Sequence, residues 1–349
     1  MNTQAPFVPR ISIAMATYNG SKYLLEQLDS LAAQTLQPCE LVVTDDGSTD
    51  DTLRILDEFA KRASFPVSTY RNEQRLGYRE NFLKAARLCS GEFIAFCDQD
   101  DVWMPEKLMC VAQPFADEEI LLVLHDAFAV TEALETIMYI HTPENAMPFS
   151  VQFGFTMAFR ADLPLNFNII RPPCERDING STLAHDQWIS FLASCLGKCR
   201  VIHKPLVLYR QHGSNTCGIG NGSNSVGRVN VTEHAEYLRL SHYAHARAST
   251  IQELIRSNTF SEKRQNKARA SLAEWKRYAT LLQLRAEINS SKTTFFVRQK
   301  HFFSALLLHG YGSKLLGRKA FCKDAFVALF GHDAFMKLSK VCLRRIPLS

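Results

Sequence analysis

Residues 11–50, ISIAMATYNGSKYLLEQLDSLAAQTLQPCELVVTDDGSTD, alternate between two hydrophobic periodicities. ISIAMAT (11–17) is a short, apolar, β-prone run that stops at Tyr18-Asn19-Gly20, after which Leu24, Leu28 and Leu31 recur at helical spacing. Leu41-Val-Val-Thr44 is a second strand, halted by Asp45-Asp46-Gly47-Ser48, and a helix from about Asp51 carries Leu53, Leu56 and Phe59 on its inward face. The alternation continues with a strand at 67–71, a helix at 78–88, and a strand at 93–97 that ends in Asp98-Gln99-Asp100-Asp101. Four strand–helix units predict an α/β fold with a parallel sheet covered on both faces. In such sheets a ligand lies beyond the carboxyl ends of the strands, where this chain gathers Tyr-Asn-Gly, Asp-Asp-Gly-Ser and Asp-Gln-Asp-Asp.

Working outward, 121–130 and 153–160 read as strands, 186–196 as a helix and 201–209 as a strand, so the later part of the sheet is mixed. The Gly-, Ser- and Asn-rich stretch 213–230 reads as a mobile loop and holds the main boundary. Beyond it, 233–256 and 262–288 form a helical hairpin. The segment 292–349 holds eleven Lys or Arg against two Asp, a basic tail on a mildly acidic body. The expected organisation is a catalytic domain at 1–222, a helical hairpin region at 223–291 and a basic amphipathic helical tail at 292–349.

With 349 residues, 46% of them hydrophobic and 21% charged, the chain is globular rather than disordered or low-complexity. Its longest apolar stretches fall far short of the roughly 20 residues a membrane-spanning helix needs. No secretory signal is legible in 1–10, so the expected compartment is the cytoplasm. Ten cysteines without a C-x-x-C pair read as reduced, buried thiols rather than a disulfide frame or zinc site.

Two carboxylates one residue apart at the end of a buried strand, Asp98 and Asp100, can jointly face a divalent cation such as Mg2+ or Mn2+. Asp101 is read as a cap for the next helix, as are Ser48 to Asp50 for theirs. Asp46 stands where a carboxylate can accept a nucleobase N–H. Neither a G-x-G-x-x-G after the first strand nor a G-x-x-x-x-G-K-[ST] motif occurs, which excludes dinucleotide-binding and P-loop readings.

Together, MATYNGSKYLLEQLDSLAAQT (15–35), LVVTDDGSTDDT (41–52), RNEQRLGYRENFLKAA (71–86), GEFIAFCDQDDVWMPEKL (91–108), GFTMAFR (154–160) and AHDQWISFLASCLGKCRVIHKPLVLYRQHGSNTCG (184–218) resemble the family 2 glycosyltransferases and their GT-A fold. The resemblance implies a UDP- or dTDP-sugar donor held by the Ala16 backbone, Tyr18 and Asp46, and by Asp98 and Asp100 through a cation on the diphosphate. It also implies an inverting reaction with Asp186 as general base, while Trp188 is a core anchor. Arg210 or His212, beside the Gly-rich loop, reaches the diphosphate when that loop closes, or else they form a surface ion pair and a solvated histidine. The chain lacks the Q-x-x-R-W signature and membrane helices of processive polysaccharide synthases, so single additions are expected. The Asp98–Asp101 and His185–Trp188 motifs resemble those of rhamnosyl and galactosyl transferases of bacterial surface-polysaccharide synthesis. A glycan or lipid-linked acceptor is therefore expected, with the basic tail on the inner face of the cytoplasmic membrane.

Two other readings compete. A sugar nucleotidyltransferase needs a Gly-rich, basic loop after the first strand, which Tyr18–Lys22 lacks. A non-enzymatic binder using the tail for nucleic acid lacks a reading motif, so no nucleic-acid partner is expected.

Overall fold

The computed structural model describes residues 9–144, 152–165, 184–213, 215, 234–308, 317–332 and 334–335. The elements follow in the order β1 (Ile11–Thr17), α1 (Ser21–Ala32), β2 (Glu40–Asp45), α2 (Thr52–Ala60), β3 (Val67–Arg71), α3 (Tyr78–Leu88), β4 (Phe93–Cys97), β5 (Val102–Trp103), α4 (Lys107–Ala112), β6 (Ile120–Val130) and β7 (Thr136–Ile140). They continue with β8 (Met157–Arg160), α5 (Asp162–Leu165), α6 (His185–Leu196), β9 (Lys198–Arg210), α7 (His234–Ser257), α8 (Glu262–Ile288), α9 (Phe295–Leu307) and α10 (Gly317–Phe330).

The strands form one mixed sheet in the order β3-β2-β1-β4-β8-β6-β9-β5, with β7 paired to β6. The first four in this order are mutually parallel, β8 runs antiparallel to β4 and β6, and β9 is parallel to β6. This is the GT-A-like architecture that the resemblance implies. β1 and β4 are buried almost throughout, because helices cover both sheet faces, and their sequences are correspondingly apolar. Leu24, Leu28 and Leu31 of α1 and Leu56 and Phe59 of α2 enter one core with Ile13, Met15, Leu41, Val43 and Phe93.

The predicted strand 153–160 begins instead as a 3-10 turn at Gly154–Thr156, because the Thr156 hydroxyl and N–H both bond the Phe153 carbonyl and turn the chain before it can pair. The strand predicted at 201–209 extends to Arg210. Among the described cysteines, Cys97 and Cys195 are buried, whereas Cys199 and Cys322 are exposed, which corrects the expectation of uniformly buried thiols. Most of the loop predicted at 213–230 lies outside the described residues.

The chain divides into two compact units, 1–169 with 183–227, and 170–182 with 228–349. In the second, α7 and α8 pair as the predicted hairpin. Ile288 of α8 forms a small core with Phe302 of α9 and Val327 and Ala328 of α10. Asp324 is buried on the Arg285 guanidinium at 2.6 and 3.1 Å. Phe296, Leu307, Leu329 and Phe330 of the same two helices stay exposed. No helix among the described residues is long and apolar enough to cross a membrane.

Candidate functional site

The last register pairs, Thr17 with Asp45, Asp45 with Arg71 and Met15 with Cys97, bring the loops after β1, β2, β3 and β4 out at one sheet edge. Asp45 organises the first two. Its Oδ1 accepts the N–H groups of Gly47 and Ser48 at 3.1 and 2.9 Å, and its Oδ2 accepts the hydroxyls of Thr17 and Ser48 at 2.9 and 2.5 Å. Gly47, at φ +89°, takes the left-handed conformation this turn needs. Ser48 Oγ accepts the Asn19 N–H, Asn19 Oδ1 accepts the Thr49 N–H, and Thr52 Oγ1 accepts the Gly20 N–H, each at 2.9 Å. Ser48 and Thr49 therefore zip two loops together; the N-cap of α2 is Asp51 rather than a predicted cap, and Asp50, just before it, accepts the Thr52 N–H at 3.1 Å.

Asp46 follows on the outer side. Its Oδ1 accepts the Asn72 amide and the Leu76 N–H at 3.0 and 2.6 Å, and its Oδ2 accepts the Gly77 N–H at 2.8 Å. Three of about four acceptor positions are thus spent bracing the loop after β3. Beside it opens a cleft of about 560 Å³ lined by Tyr18, Asp46, Arg71, Asn72 and Arg75. The Arg75 guanidinium lies 4.0 Å from the centre of the part-exposed Tyr18 ring, a planar pair suited to a flat ligand.

The loop after β4 is fastened to the loop after β1 by Gln99, which accepts the Tyr18 N–H at 2.9 Å and donates to the Tyr18 carbonyl at 3.2 Å. A Cβ at Gly20 would lie 2.2 Å from Gln99 Oε1, so this clamp needs a glycine there. Ala16, in β1, pairs with Thr44. Asp101 is fully buried and accepts the Arg210 N–H at 3.1 Å, so it ties β4 to β9 and does not cap α4 as predicted. Burial, with Asp100 and Asp98 adding to it, holds Asp101 well above the usual carboxylate range.

Burial pushes Asp98 up to about 8, reinforced by the charges of Asp100 and Asp186 and opposed by Lys107. Asp186, in the first turn of α6, is pushed up to about 6 by burial, against the hydrogen bonds it accepts from Gln187 at 2.7 Å and from the Gly154 N–H. Asp98, Asp100 and Asp186, spread over the sequence, are thus in electrostatic contact. Three carboxylates so crowded retain their charge best around a cation, and Asp98 and Asp100 supply the hard oxygen donors that Mg2+ or Mn2+ takes.

Arg210 is buried, with Nε donating to the Asp100 carbonyl at 2.9 Å, Nη1 to the Glu132 carbonyl and Nη2 to Glu26 at 2.5 Å. Its guanidinium also lies over Tyr23 at 4.6 Å. It is a brace for the acidic loop, not the surface ion pair of one sequence reading. His212 Nε2 lies 2.9 Å from Asp100 Oδ2 and the ring stacks on Tyr23, so it is buried beside the carboxylates rather than solvated. His185, by contrast, stacks on Phe82 at 4.1 Å and meets Phe96 edge-on at 4.8 Å, and burial holds it neutral, down at about 3. Trp188 is buried in the core as expected.

Sequence reasoning missed Gln99, Glu26 and Lys107. Lys107 is fully buried, donates to the Phe155 carbonyl at 2.7 Å, lies 3.5 Å from the centre of the Trp103 ring, and is pushed down to about 7 by burial. Nothing in its Pro-Glu-Lys context signals a buried cation.

Residues 12–165 match the family described as Glycosyl transferase family 2. An uncharacterized glycosyltransferase, alr2836, of Nostoc sp. is 27% identical over 216 residues, 59% of this chain and 66% of that protein. The uncharacterized protein Rv1520 of Mycobacterium tuberculosis is 36% identical over 209 residues, 58% of this chain and 59% of that one. Chondroitin synthase of Escherichia coli is 39% identical over 99 residues, 28% of this chain and 14% of that enzyme. The chain therefore spans less than two thirds of these relatives' length in each match. Among solved structures, S. aureus TarS 1-349 in complex with UDP-GlcNAc is 20% identical with a TM-score of 0.49, covering 94% of this chain and 92% of that one. The mannosyltransferase PcManGT of Pyrobaculum calidifontis, in complex with GDP-Man and Mn2+, is 17% identical with a TM-score of 0.45, covering 94% and 88%. The match over 12–165, within the first unit, is to the family 2 glycosyltransferases, and the sheet order and strand-end carboxylates of that unit accord with it.

Proposed function

We propose that this chain transfers one sugar per reaction, with inversion, from a nucleoside-diphosphate donor to a hydroxyl of a glycan or lipid-linked acceptor in the assembly of a surface polysaccharide. The observation that carries this reading is that Asp98 feels the charges of both Asp100 and Asp186, since an attacking hydroxyl and a departing diphosphate need a base and a positive site near one another. The base and sugar-phosphate ends of the donor are assigned to the cleft between Tyr18, Asp46 and Arg75 and to the acidic loop respectively.

In this scheme Asp98 and Asp100 hold the divalent cation, with His212 fixing the Asp100 carboxylate. When bound, the cation supplies positive charge for the leaving diphosphate. Asp186 takes the proton of the acceptor hydroxyl as its oxygen bonds to the anomeric carbon and the bond from that carbon to the phosphate oxygen breaks. The Gly154 and Gln187 N–H groups orient Asp186 for this. Gln99 and Arg210 hold the loops that carry Tyr18 and Asp100. Rhamnose and galactose, from dTDP or UDP donors, are the first sugars to examine.

The exposed Phe296, Leu307, Leu329 and Phe330, together with the tail's basic charge, support reversible docking of the second unit on an anionic membrane where a lipid-linked acceptor is presented. The test is a panel of UDP- and dTDP-sugars, with and without Mg2+ or Mn2+, read as nucleoside diphosphate released and, with acceptor, as the anomeric configuration of the product by NMR. Release that is unaffected by chelation, or a product retaining the donor configuration, removes this scheme.

A further inference from the structure

Asp126, His141 and His203 lie outside the machinery described above, yet the fold carries them to one point. Asp126 sits within the apolar strand β6, and its side chain is fully buried. At this position the β6–β9 pairing slips from His125 opposite Ile202 to Asp126 opposite Pro205, and His203 and Lys204 leave the ladder. Pro205 has no N–H to give a neighbouring strand, which favours such a bulge here. β7 returns beside β6 with Ile140 opposite Ala127, and the next residue, His141, arrives beside Asp126.

Asp126 Oδ2 lies 3.3 Å from His203 Nδ1 and 3.5 Å from His141 Nδ1, and the three prospective ligand atoms all fall within 4.8 Å of one another. The His203 separation is a long hydrogen bond and the His141 separation a longer polar contact. They suit a shared ion better, because metal–ligand bonds of about 2.0–2.1 Å in a tetrahedral site set ligand atoms about 3.3 Å apart. The surroundings hold the ligands in place: Asp126 Oδ1 accepts the Thr142 N–H at 2.7 Å, Oδ2 accepts the Tyr139 hydroxyl at 2.5 Å, His203 Nε2 lies 3.2 Å from Glu144 Oε1, and the His141 ring stacks on that of His203 with centres 4.8 Å apart. A carboxylate on the far nitrogen of a ligating histidine is the arrangement that fixes its ring and tautomer. Both imidazoles are part-exposed, which leaves an entry path and room for water.

We propose that Asp126, His141 and His203 form a second metal site, of zinc type, with a fourth position open to water. Two imidazoles and one carboxylate favour Zn2+ over Mg2+ or Mn2+, so the site is chemically separate from the all-oxygen Asp98–Asp100 pair. Bound metal clips the segment Thr142–Glu144 after β7 onto the sheet.

The test uses the full chain without an affinity tag, stripped with chelator and titrated with Zn2+ against a chromophoric competitor. One equivalent is expected in the native chain and in an Asp98→Asn/Asp100→Asn variant, while Mn2+ binding is lost in that variant. His141→Ala is expected to weaken Zn2+ at least tenfold and Glu144→Gln about tenfold. His141 and Glu144 are mostly exposed, so the metal-free melting temperatures of both variants should match the native value. Co2+ in place of Zn2+ should give the intense visible absorption of a tetrahedral centre, absent in His141→Ala. Undiminished Zn2+ affinity in His141→Ala, or loss of the Zn2+ equivalent in the Asp98→Asn/Asp100→Asn variant, overturns the proposal.

Discussion

If Asp186 takes the acceptor proton, turnover must follow its ionised fraction. Burial pushes this carboxyl up to about 6, so it is about 99% ionised at pH 8 but only about 9% at pH 5. Turnover at saturating donor, acceptor and metal should therefore fall between those pH values by up to about elevenfold, less as the bound cation draws the carboxyl down, whereas a carboxyl at its ordinary value near 3.8 would lose less than a tenth. Asp186→Asn should lower turnover by roughly 10² to 10⁴ and flatten this limb, leaving donor affinity nearly unchanged. The same residue predicts a stability effect of opposite sign. Its folded pKa lies above the unfolded one, so the native chain loses stability as pH rises from about 4 to about 6, by up to about 3 kcal/mol. Asparagine has no charge to bury, so the variant should melt higher than the native chain at pH 7 and equally at pH 4. Initial rates of nucleoside diphosphate release and thermal melts across pH 4–8 measure both. Turnover of Asp186→Asn within fivefold of native refutes Asp186 as the base.

Asp100→Ala should abolish transfer, and a chelator should reproduce the loss in the native chain; full activity in chelator refutes the cation assignment. Arg210→Met strands the Asp100 and Glu132 carbonyls, at a cost of roughly 2–4 kcal/mol, and should lower the melting temperature of its unit by about 5–15 °C by calorimetry. Gly20→Ala drives a Cβ into the Gln99 amide and should raise the donor KM more than it lowers kcat, and Gln99→Ala in the same chain should restore part of the loss. Phe296→Glu/Leu307→Glu/Phe330→Glu should abolish flotation with anionic liposomes at low salt without changing the melting temperature; equal flotation would remove this face as the docking surface.

The tail shows how far composition reaches. Its Phe and Leu residues and basic charge are plain in the sequence, and so is their helical spacing. The sequence reading left open whether the apolar residues bind a membrane or pack on the catalytic domain; in the structure Phe302 joins Ile288 of α8 and Val327 in a core, whereas Phe296 and Leu307 remain exposed. Helical periodicity marks an apolar face but does not say what covers it. The same holds for Asp101, whose place before Pro105 suggested a cap until β9 brought the Arg210 N–H to it.

Local pattern alone determined the strands β1 to β4, their helices and the loops between them, because period-2 and period-3.6 burial and turn chemistry are written within ten or so residues. It also marked Asp46, Asp98 and Asp100 as the carboxylates to watch, since each follows the end of a strand, and the family resemblance added Asp186. Only the tertiary structure decided which of these share an electrostatic field, that Arg210 and Gln99 brace the loops that carry them, that Lys107 lies buried beneath, and that a slip opposite Pro205 sets two histidines on Asp126. Those relations depend on strand order and register, which join residues dozens to more than a hundred positions apart. A pKa or ligand set depends on the distance and burial that folding creates, and neither quantity exists in the chain before it folds.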